Sequence, residues 1–344
     1  MDERKKKTAA SRRTGAASAS GKRARKRTRR GSRYEADGET FRGTLVGLLI
    51  VLVFVAIIAG AIWLCGGFDG ESTVEPEPTD AIENGTARVH FIDVGQGDCV
   101  LIECEDGAIM IDGGSNDDSQ KIAAYLNEHG IEHLNCVIGT HAHADHMGGL
   151  DDVILQYDVD ELIIPTKPVD MNFYKDVVKA AEKKNIPAHT AKPGDVIKIS
   201  GGTLEVLDDG IDTDPDTDDR SAIMNNNSYV MKFTYGETTF LFTGDAEADY
   251  EREMLAKGEN VDADVLKVGH HGSGDSCSAE FIAAVTPEYA VIQVGRDNSY
   301  GHPSKNTVSR LVRAGVGVYR NDEFGDVVVT TDGKKISITY DKQD

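Results

Sequence analysis

Within the seven residues Thr140-His141-Ala142-His143-Ala144-Asp145-His146 the chain places three imidazoles and a carboxylate. Packing does not call for such a run. Metal ions do, because neutral imidazole and ionised carboxylate at short spacing are the ligands of Zn²⁺. His141 and His143, two apart, can both reach one ion, while Asp145 and His146 turn toward a second. A divalent ion lowers the pKa of a bound water to about 7, so the chemistry on offer is hydrolysis. Three more candidates stand where apolar runs end: Asp112 after Ile109-Met110-Ile111, Asp245 after Phe240-Leu241-Phe242-Thr243-Gly244, and the pair His270-His271 after Val265-Leu266-Lys267-Val268-Gly269. Asp245 is a candidate bridge between two ions. His302, on a loop and followed by Pro303, is placed to protonate a leaving group or steady an oxyanion. Lys267, near the site, could contact an anionic substrate, but a lysine in a strand reads rather as a solvated face residue and stays outside the site. The lone histidines His90, His129, His133 and His189 read as ordinary core or surface residues.

These groups need strands that end at one edge. Short apolar runs predict strands over Arg88–Val94, Cys99–Cys104, Ala108–Ile111 and Cys136–Gly139, and a helix bearing Ile122, Ala123, Leu126 and Ile131 on one face. A strand at Leu162–Pro165, a helix over Asn172–Lys184 and two strands ending at Leu207 complete the first part. Ser228–Tyr235 and Thr238–Thr243 read as a hairpin around Gly236-Glu237. Helices then alternate with strands at Val265–Val268, Val291–Val294, Val316–Tyr319, Val327–Thr330 and Ile336–Tyr340. Two successive blocks of this kind predict an α/β fold in which two sheets pack face to face under outer helices, an αββα sandwich.

The first 86 residues are of another kind. Residues 1–43 carry 15 Lys and Arg against 5 Asp and Glu, so of the net charge of −21 the rest of the chain holds −31. From Leu45 to Cys65 run 21 residues without a charge, enough as a helix to cross a hydrocarbon core of about 30 Å. We read residues 1–43 as a disordered basic arm, 44–66 as one transmembrane helix, 67–86 as a linker and 87–342 as the folded domain. The positive-inside bias keeps the arm cytoplasmic and the domain outside the cell membrane, with Trp63 at the outer interface. The arm suits anionic lipid, at about 1 kcal/mol per basic residue near the surface; nucleic acid is its alternative partner.

Several classes are excluded. Five scattered cysteines make no disulfide framework or C-x-x-C pair, and Cys99 and Cys104 fall on opposite faces of one strand. The acidic loop Asp208–Asp219 lacks the glycine and the terminal glutamate of a calcium loop. Gly95-Gln96-Gly97-Asp98 joins two strands without the helix that a dinucleotide loop requires, and reads as a tight turn beside the site. With a single apolar span, the chain makes no transport pore of its own.

The ordered set of motifs resembles the metallo-β-lactamase fold, whose signature is His-x-His-x-Asp-His, and within it the ComEC/Rec2-type branch. The resemblance rests on Phe91-Ile92-Asp93-Val94-Gly95-Gln96-Gly97-Asp98, Ile111-Asp112-Gly113-Gly114, the histidine-rich loop, Asn226-Asn227-Ser228, Thr243-Gly244-Asp245, His270-His271-Gly272-Ser273 and Tyr300-Gly301-His302-Pro303, and spans 253 of 344 residues. It implies His141 and His143 on one metal, Asp145 and His146 on the other, Asp245 between them, and His270 or His271 completing the second site. Asp112, Asn227 and Ser228 would orient the ligands. Many members add a third histidine to the first metal from the region that here reads Asn225-Asn226-Asn227-Ser228; one or two divalent ions are therefore expected, zinc foremost and manganese as the alternative.

The function implied is a membrane-anchored, extracytoplasmic, metal-dependent hydrolase, a phosphodiesterase or nuclease working through a metal-held hydroxide, with Asp145, His270 and His302 in catalytic roles. The strongly acidic domain disfavours a long polyanion, since nonspecific DNA binding relies on Lys and Arg, and brings a small anionic diester to nearly equal weight. The alternatives are hydrolysis of a small ester, lactone or phosphorylcholine-type substrate, and a non-catalytic anchored binding or sensing protein.

Overall fold

The structure, a computed structural model, describes residues 84–211 and 224–341 together with Ile82. The basic arm, the apolar run Leu45 to Cys65, most of the linker and most of the acidic loop lie outside the described residues. Among the described residues no helix is long and apolar enough to cross a membrane.

Strands β1 (Ala87–Phe91), β2 (Val100–Cys104) and β3 (Gly107–Ile111) form an antiparallel meander. After it come α1 (Ser119–Glu128), β4 (His133–Leu134), β5 (Cys136–Ile138), α2 (Ala144–Met147), α3 (Leu150–Gln156), β6 (Asp158–Val159), β7 (Leu162–Ile163), α4 (Asn172–Lys184) and β8 (Ala188–His189). The plan then repeats. A meander of β9 (Val196–Ile199), β10 (Gly202–Asp208), β11 (Val230–Tyr235) and β12 (Thr238–Phe242) leads to α5 (Ala248–Lys257), β13 (Val265–Lys267), α6 (Ala279–Val285), β14 (Tyr289–Ile292), α7 (Lys305–Arg313) and β15 (Gly317–Arg320). Last, α8 (Asn321–Phe324) brings β16 (Val327–Thr331) and β17 (Ile336–Tyr340) back to the first sheet. The eight-stranded sheet runs β17-β16-β1-β2-β3-β5-β7-β8, the seven-stranded sheet β15-β14-β13-β12-β11-β10-β9, and β4 and β6 pair separately.

The central strands of both sheets are largely apolar because both of their faces are covered. With a period of two, Val100, Ile102, Ile109, Ile111, Cys136 and Ile138 face the second sheet, where they meet Phe233, Phe240, Phe242 and Val265. The intervening Leu101, Met110 and Val137 pack beneath α1, α3 and α4. On the other side Leu241, Leu266 and Ile292 pack beneath α5, α6 and α7. Helices outside two stacked sheets make the αββα sandwich expected from the sequence. Cys104 joins the inter-sheet core and Cys99 the outer one, and all four described cysteines are free and buried.

The site depends on where pairing changes sense. From β3 through β5 to β7, and from β12 through β13 to β14, the strands are parallel, so their C-terminal ends arrive at one edge. The first strand stops short of the expected Val94: its ladder with β2 ends at Phe91↔Val100, and the chain leaves the sheet through Gly95–Asp98. There Gly97 lies against the histidine-rich loop; a Cβ at that position would sit 2.5 Å from the carbonyl oxygen of Asp145.

Candidate metal centre

Asp245 stands at the middle of the edge. One carboxylate oxygen, Oδ2, lies 3.3 Å from His146 Nε2, 3.6 Å from His271 Nε2 and 3.8 Å from His141 Nε2. His141, His146, Asp245 and His271 are buried. Asp145 reaches the same cluster, its Oδ2 lying 3.4 Å from His271 Nε2. Two overlapping groups, His141–His146–Asp245 and Asp145–His146–His271, bring their donor atoms within 4.8 Å of one another.

The outer nitrogens are fixed by a layer beneath. Asp112 Oδ2 accepts from His146 Nδ1 at 2.8 Å and from the Thr140 hydroxyl at 2.7 Å, while its Oδ1 accepts from the Thr140 backbone N–H at 2.8 Å. Since the Thr140 proton goes to Asp112, the hydroxyl oxygen is left to accept from His141 Nδ1, 3.1 Å away. This leaves Nε2 of His141 as the bare lone pair, and His143 Nδ1 lies 2.8 Å from it. His271 Nδ1 donates to the carbonyl of Gln293 at 3.0 Å and faces Asp98 Oδ1 at 3.2 Å. Such outer partners set tautomer and ring direction in metal-binding histidines.

His146 Nε2, His271 Nε2 and Asp245 Oδ1 are buried and lack hydrogen-bond partners. Buried polar atoms without good hydrogen bonds are costly, about 1–3 kcal/mol each; the two histidine nitrogens have carboxylate oxygens of Asp245 and Asp145 beside them at 3.3–3.6 Å, and this donor set has the chemistry of a divalent-cation site. Charge points the same way. Burial disfavours a charged His271, but the carboxylates of Asp245 and Asp98 outweigh it and push its pKa up to about 10. His146 is likewise raised against burial by Asp245 and Asp112. Asp245 is held well below the usual carboxylate range: burial opposes this, and His271 and His146 overcome it. His141, buried and beside His146, is pushed well below its ordinary value.

The adjacent histidines His270 and His271 part company. Both have a left-handed backbone, with φ of 46° and 49°, a conformation uncommon for residues other than glycine. Their side chains reach different partners. His271 joins the cluster, whereas the half-buried His270 faces Glu247 Oε1 at 3.1 Å and the His302 ring at 5.3 Å between centroids. Glu247 also accepts from Asn225 Nδ2 at 2.9 Å. The His270 pKa is raised, burial being outweighed by Glu247, and that of His302 is lowered by burial and by His270.

The expected orienting residues are also at the site. Ser228 Oγ accepts from the Asp245 backbone at 3.0 Å, and Asn227 is buried beside it. Gly244, with φ of +48°, leaves no room for a Cβ, which would lie 2.8 Å from Ser228 Oγ. The segment Asn225–Ser228, lacking the third histidine, lies next to the cluster, with Asn225 Nδ2 3.4 Å from the His270 ring nitrogens.

Lys267 corrects the sequence reading. It is 2% exposed, and its ammonium meets Asp98 Oδ2 at 2.7 Å and the Val268 carbonyl at 2.8 Å. The strand that carries it is covered on both faces, so there is no solvated face for it to occupy. Asp98, assigned only to a tight turn, is its buried counter-ion. The available signal was a single charge inside the apolar run Val265–Val268 just ahead of two histidines. Glu247 and Asn225 carried no such signal. The ordinary histidines are ordinary: His90 is buried between Tyr125 and Glu103, and His133 and His189 form surface pairs with Asp160 and Glu161.

A cleft of about 270 Å³ opens onto this cluster, lined among others by Gln96, His143, Asp145, Asn225, Tyr300 and His302. The family model of the metallo-beta-lactamase superfamily matches residues 92–296, and the chain belongs to that superfamily. Its curated relatives place it in the ComEC/Rec2-like branch: ComE operon protein 3 of Bacillus subtilis is 32% identical over 258 residues, 70% of this chain and 32% of that protein. Competence protein ComA of Neisseria gonorrhoeae is 28% identical over 72% of this chain and 32% of its own length, and recombination protein 2 of Haemophilus influenzae 29% over 71% and 29%. The chain thus spans about a third of the length of the curated relatives it matches. Among solved structures, the metallo-beta-lactamase fold protein YhfI from Bacillus subtilis superposes with a TM-score of 0.48 at 14% identity, over 72% of this chain and 99% of that one.

Proposed function

We propose that the domain is a phosphodiesterase acting on a short or small diester, and that the chain carries it on the outer face of the cell membrane. The observation that carries the hydrolytic reading is the convergence of His141, His146, Asp145, Asp245 and His271, with three buried donor atoms unmatched. The groups His141–His146–Asp245 and Asp145–His146–His271 would hold one or two divalent ions, zinc or manganese, with Asp245 central to the three histidines. When bound, the ion supplies a water of lowered pKa and positive charge against the charge that builds up at phosphorus.

The chain's own residues do the rest. Asp112 holds the imidazole of His146, and Asp98 and the Gln293 carbonyl hold that of His271. His270, held by Glu247 and open to the cleft, is the proton donor to the departing oxygen, and His302 beside it steadies that oxygen. No lysine or arginine lines the cleft, which supports a substrate bound through one phosphate rather than along a polyanion. The basic arm and the charge-free run Leu45 to Cys65 support the membrane topology.

The test uses the full chain in detergent micelles with Zn²⁺ or Mn²⁺, assayed side by side on a bis-aryl phosphate, single-stranded DNA, a phosphorylcholine ester, a lactone and a β-lactam. We expect turnover of the aryl diester and its loss in His146→Ala. Diester turnover that survives His146→Ala, or a preference for the lactone or β-lactam, overturns the reading. For topology, protease added to intact cells should remove the acidic domain; full protection would reverse the orientation.

A further inference from the structure

The loop between β14 and α7 holds an aromatic ring out at the mouth of the cleft. Tyr300 is 71% exposed, and its ring lies parallel to that of His302, with 5° between planes and 5.9 Å between centroids. One asparagine builds the arrangement. Asn298 Oδ1 accepts the backbone N–H groups of Tyr300 and His302, both at 3.1 Å, and its Nδ2 donates to the carbonyls of Gly295 at 2.9 Å and His302 at 2.6 Å. The loop is therefore set before any ligand arrives.

An apolar ring kept in water by so many hydrogen bonds calls for a use. Among the large hydrophobic side chains exposed in the described residues, Met171, Val196, Val312 and Tyr340 lie elsewhere; Tyr300 alone lines the cleft. No lysine or arginine lines it with Tyr300, and the nearby Lys267 is buried against Asp98. Beyond the phosphate, then, binding has to come from uncharged contact.

We infer that the stacked Tyr300–His302 pair is a subsite for a flat ring next to the scissile phosphate, a nucleobase or an aryl group. The inference rests on the phosphodiesterase reading above and names its substrate class. Stacking a base on an aromatic side chain contributes about 1–3 kcal/mol, or about 5- to 150-fold in affinity.

The test takes the metal-loaded full chain and compares Tyr300→Leu, which keeps bulk and loses the π face, with Tyr300→Phe, which keeps the ring. KM and kcat are read on a thymidine dinucleotide, a bis-aryl phosphate and an abasic dinucleotide. Binding of thymidine monophosphate and of deoxyribose 5-phosphate is read by calorimetry, independently of turnover. Tyr300→Leu should raise KM about tenfold or more for ligands with a ring, leave kcat, metal content and the abasic ligand unchanged, and be rescued by Tyr300→Phe. The base-bearing and aryl arms show which ring the subsite prefers. Equal loss on ringed and abasic ligands, or no loss on either, overturns the inference. Tyr300-dependent preference for thymidine monophosphate in a protein that turns over no diester would uphold the subsite and sink the hydrolytic reading; diester turnover indifferent to Tyr300 would do the reverse.

Discussion

Two turns supply the histidines of this centre, and they are built on different plans. The turn after β5 carries His141, His143 and His146 to one edge within seven consecutive residues, with Thr140 and, from the end of β3, Asp112 beneath. The turn after β13 carries two adjacent histidines in left-handed backbone and sends them apart, His271 to Asp245 and Asp98, His270 to Glu247 and His302. The first turn is a cradle written into consecutive residues. The second is sorted by its surroundings, since nothing in the dipeptide distinguishes one histidine from the other until Asp98, Lys267 and Glu247 are in place.

The comparison breaks most visibly at His270 and His271. His271→Ala should remove bound metal along with activity, whereas His270→Ala should keep the metal and lower kcat by about 10²- to 10⁴-fold, the range for general acid catalysis. Elemental analysis of both purified variants beside their kinetics checks this, and metal loss in His270→Ala would erase the distinction. Next in size, Lys267→Met takes the ammonium from the buried Asp98, leaving it His271, and should destabilise the domain by up to about 3–5 kcal/mol, as when one member of a buried pair is removed. Chemical denaturation measures it; a cost below about 1 kcal/mol would mean the pair behaves as a surface one.

In the other turn, Asp112→Asn should weaken metal affinity about 10- to 100-fold while the domain stays folded, as read by competition with a chelator. Titration sharpens the contrast further. Without bound metal, His271 has its pKa raised to about 10, so its contribution to stability is full below an unfolded value of about 6.5 and is lost as pH rises through about 10. Metal binding at neutral pH should therefore release the His271 proton, and affinity should fall as pH falls. Calorimetry in buffers of different ionisation enthalpy counts that proton; none released would contradict the assignment.

The elements that bear on the site were legible to different degrees. Helix Asn172–Lys184 and strand Ile336–Tyr340 have the bounds that periodicity predicts, because an amphipathic face and a short apolar run are local patterns. Strand β1 ends three residues early, since its end is set by the partner strand and by the turn that carries Asp98. Asp112, Asp245 and the histidine-rich loop stood out by type and spacing. Lys267 was misread because burial on both faces of its strand depends on helices and a second sheet that the strand does not encode. Glu247 and Asn225 were invisible, as their roles exist only through His270, 23 and 45 positions away.

By itself, the sequence determined the family, the two-sheet plan, the His and Asp residues that meet at one edge and the division of charge between residues 1–43 and the rest, because each is expressed in residue type at short spacing. Tertiary structure alone decided which of two neighbouring histidines faces Asp245, that a lysine is a buried counter-ion, and that Tyr300 lies stacked on His302 at the cleft. Those outcomes depend on the ends of strands from two sheets meeting at one edge, where buried charges must find partners and distant residues supply them.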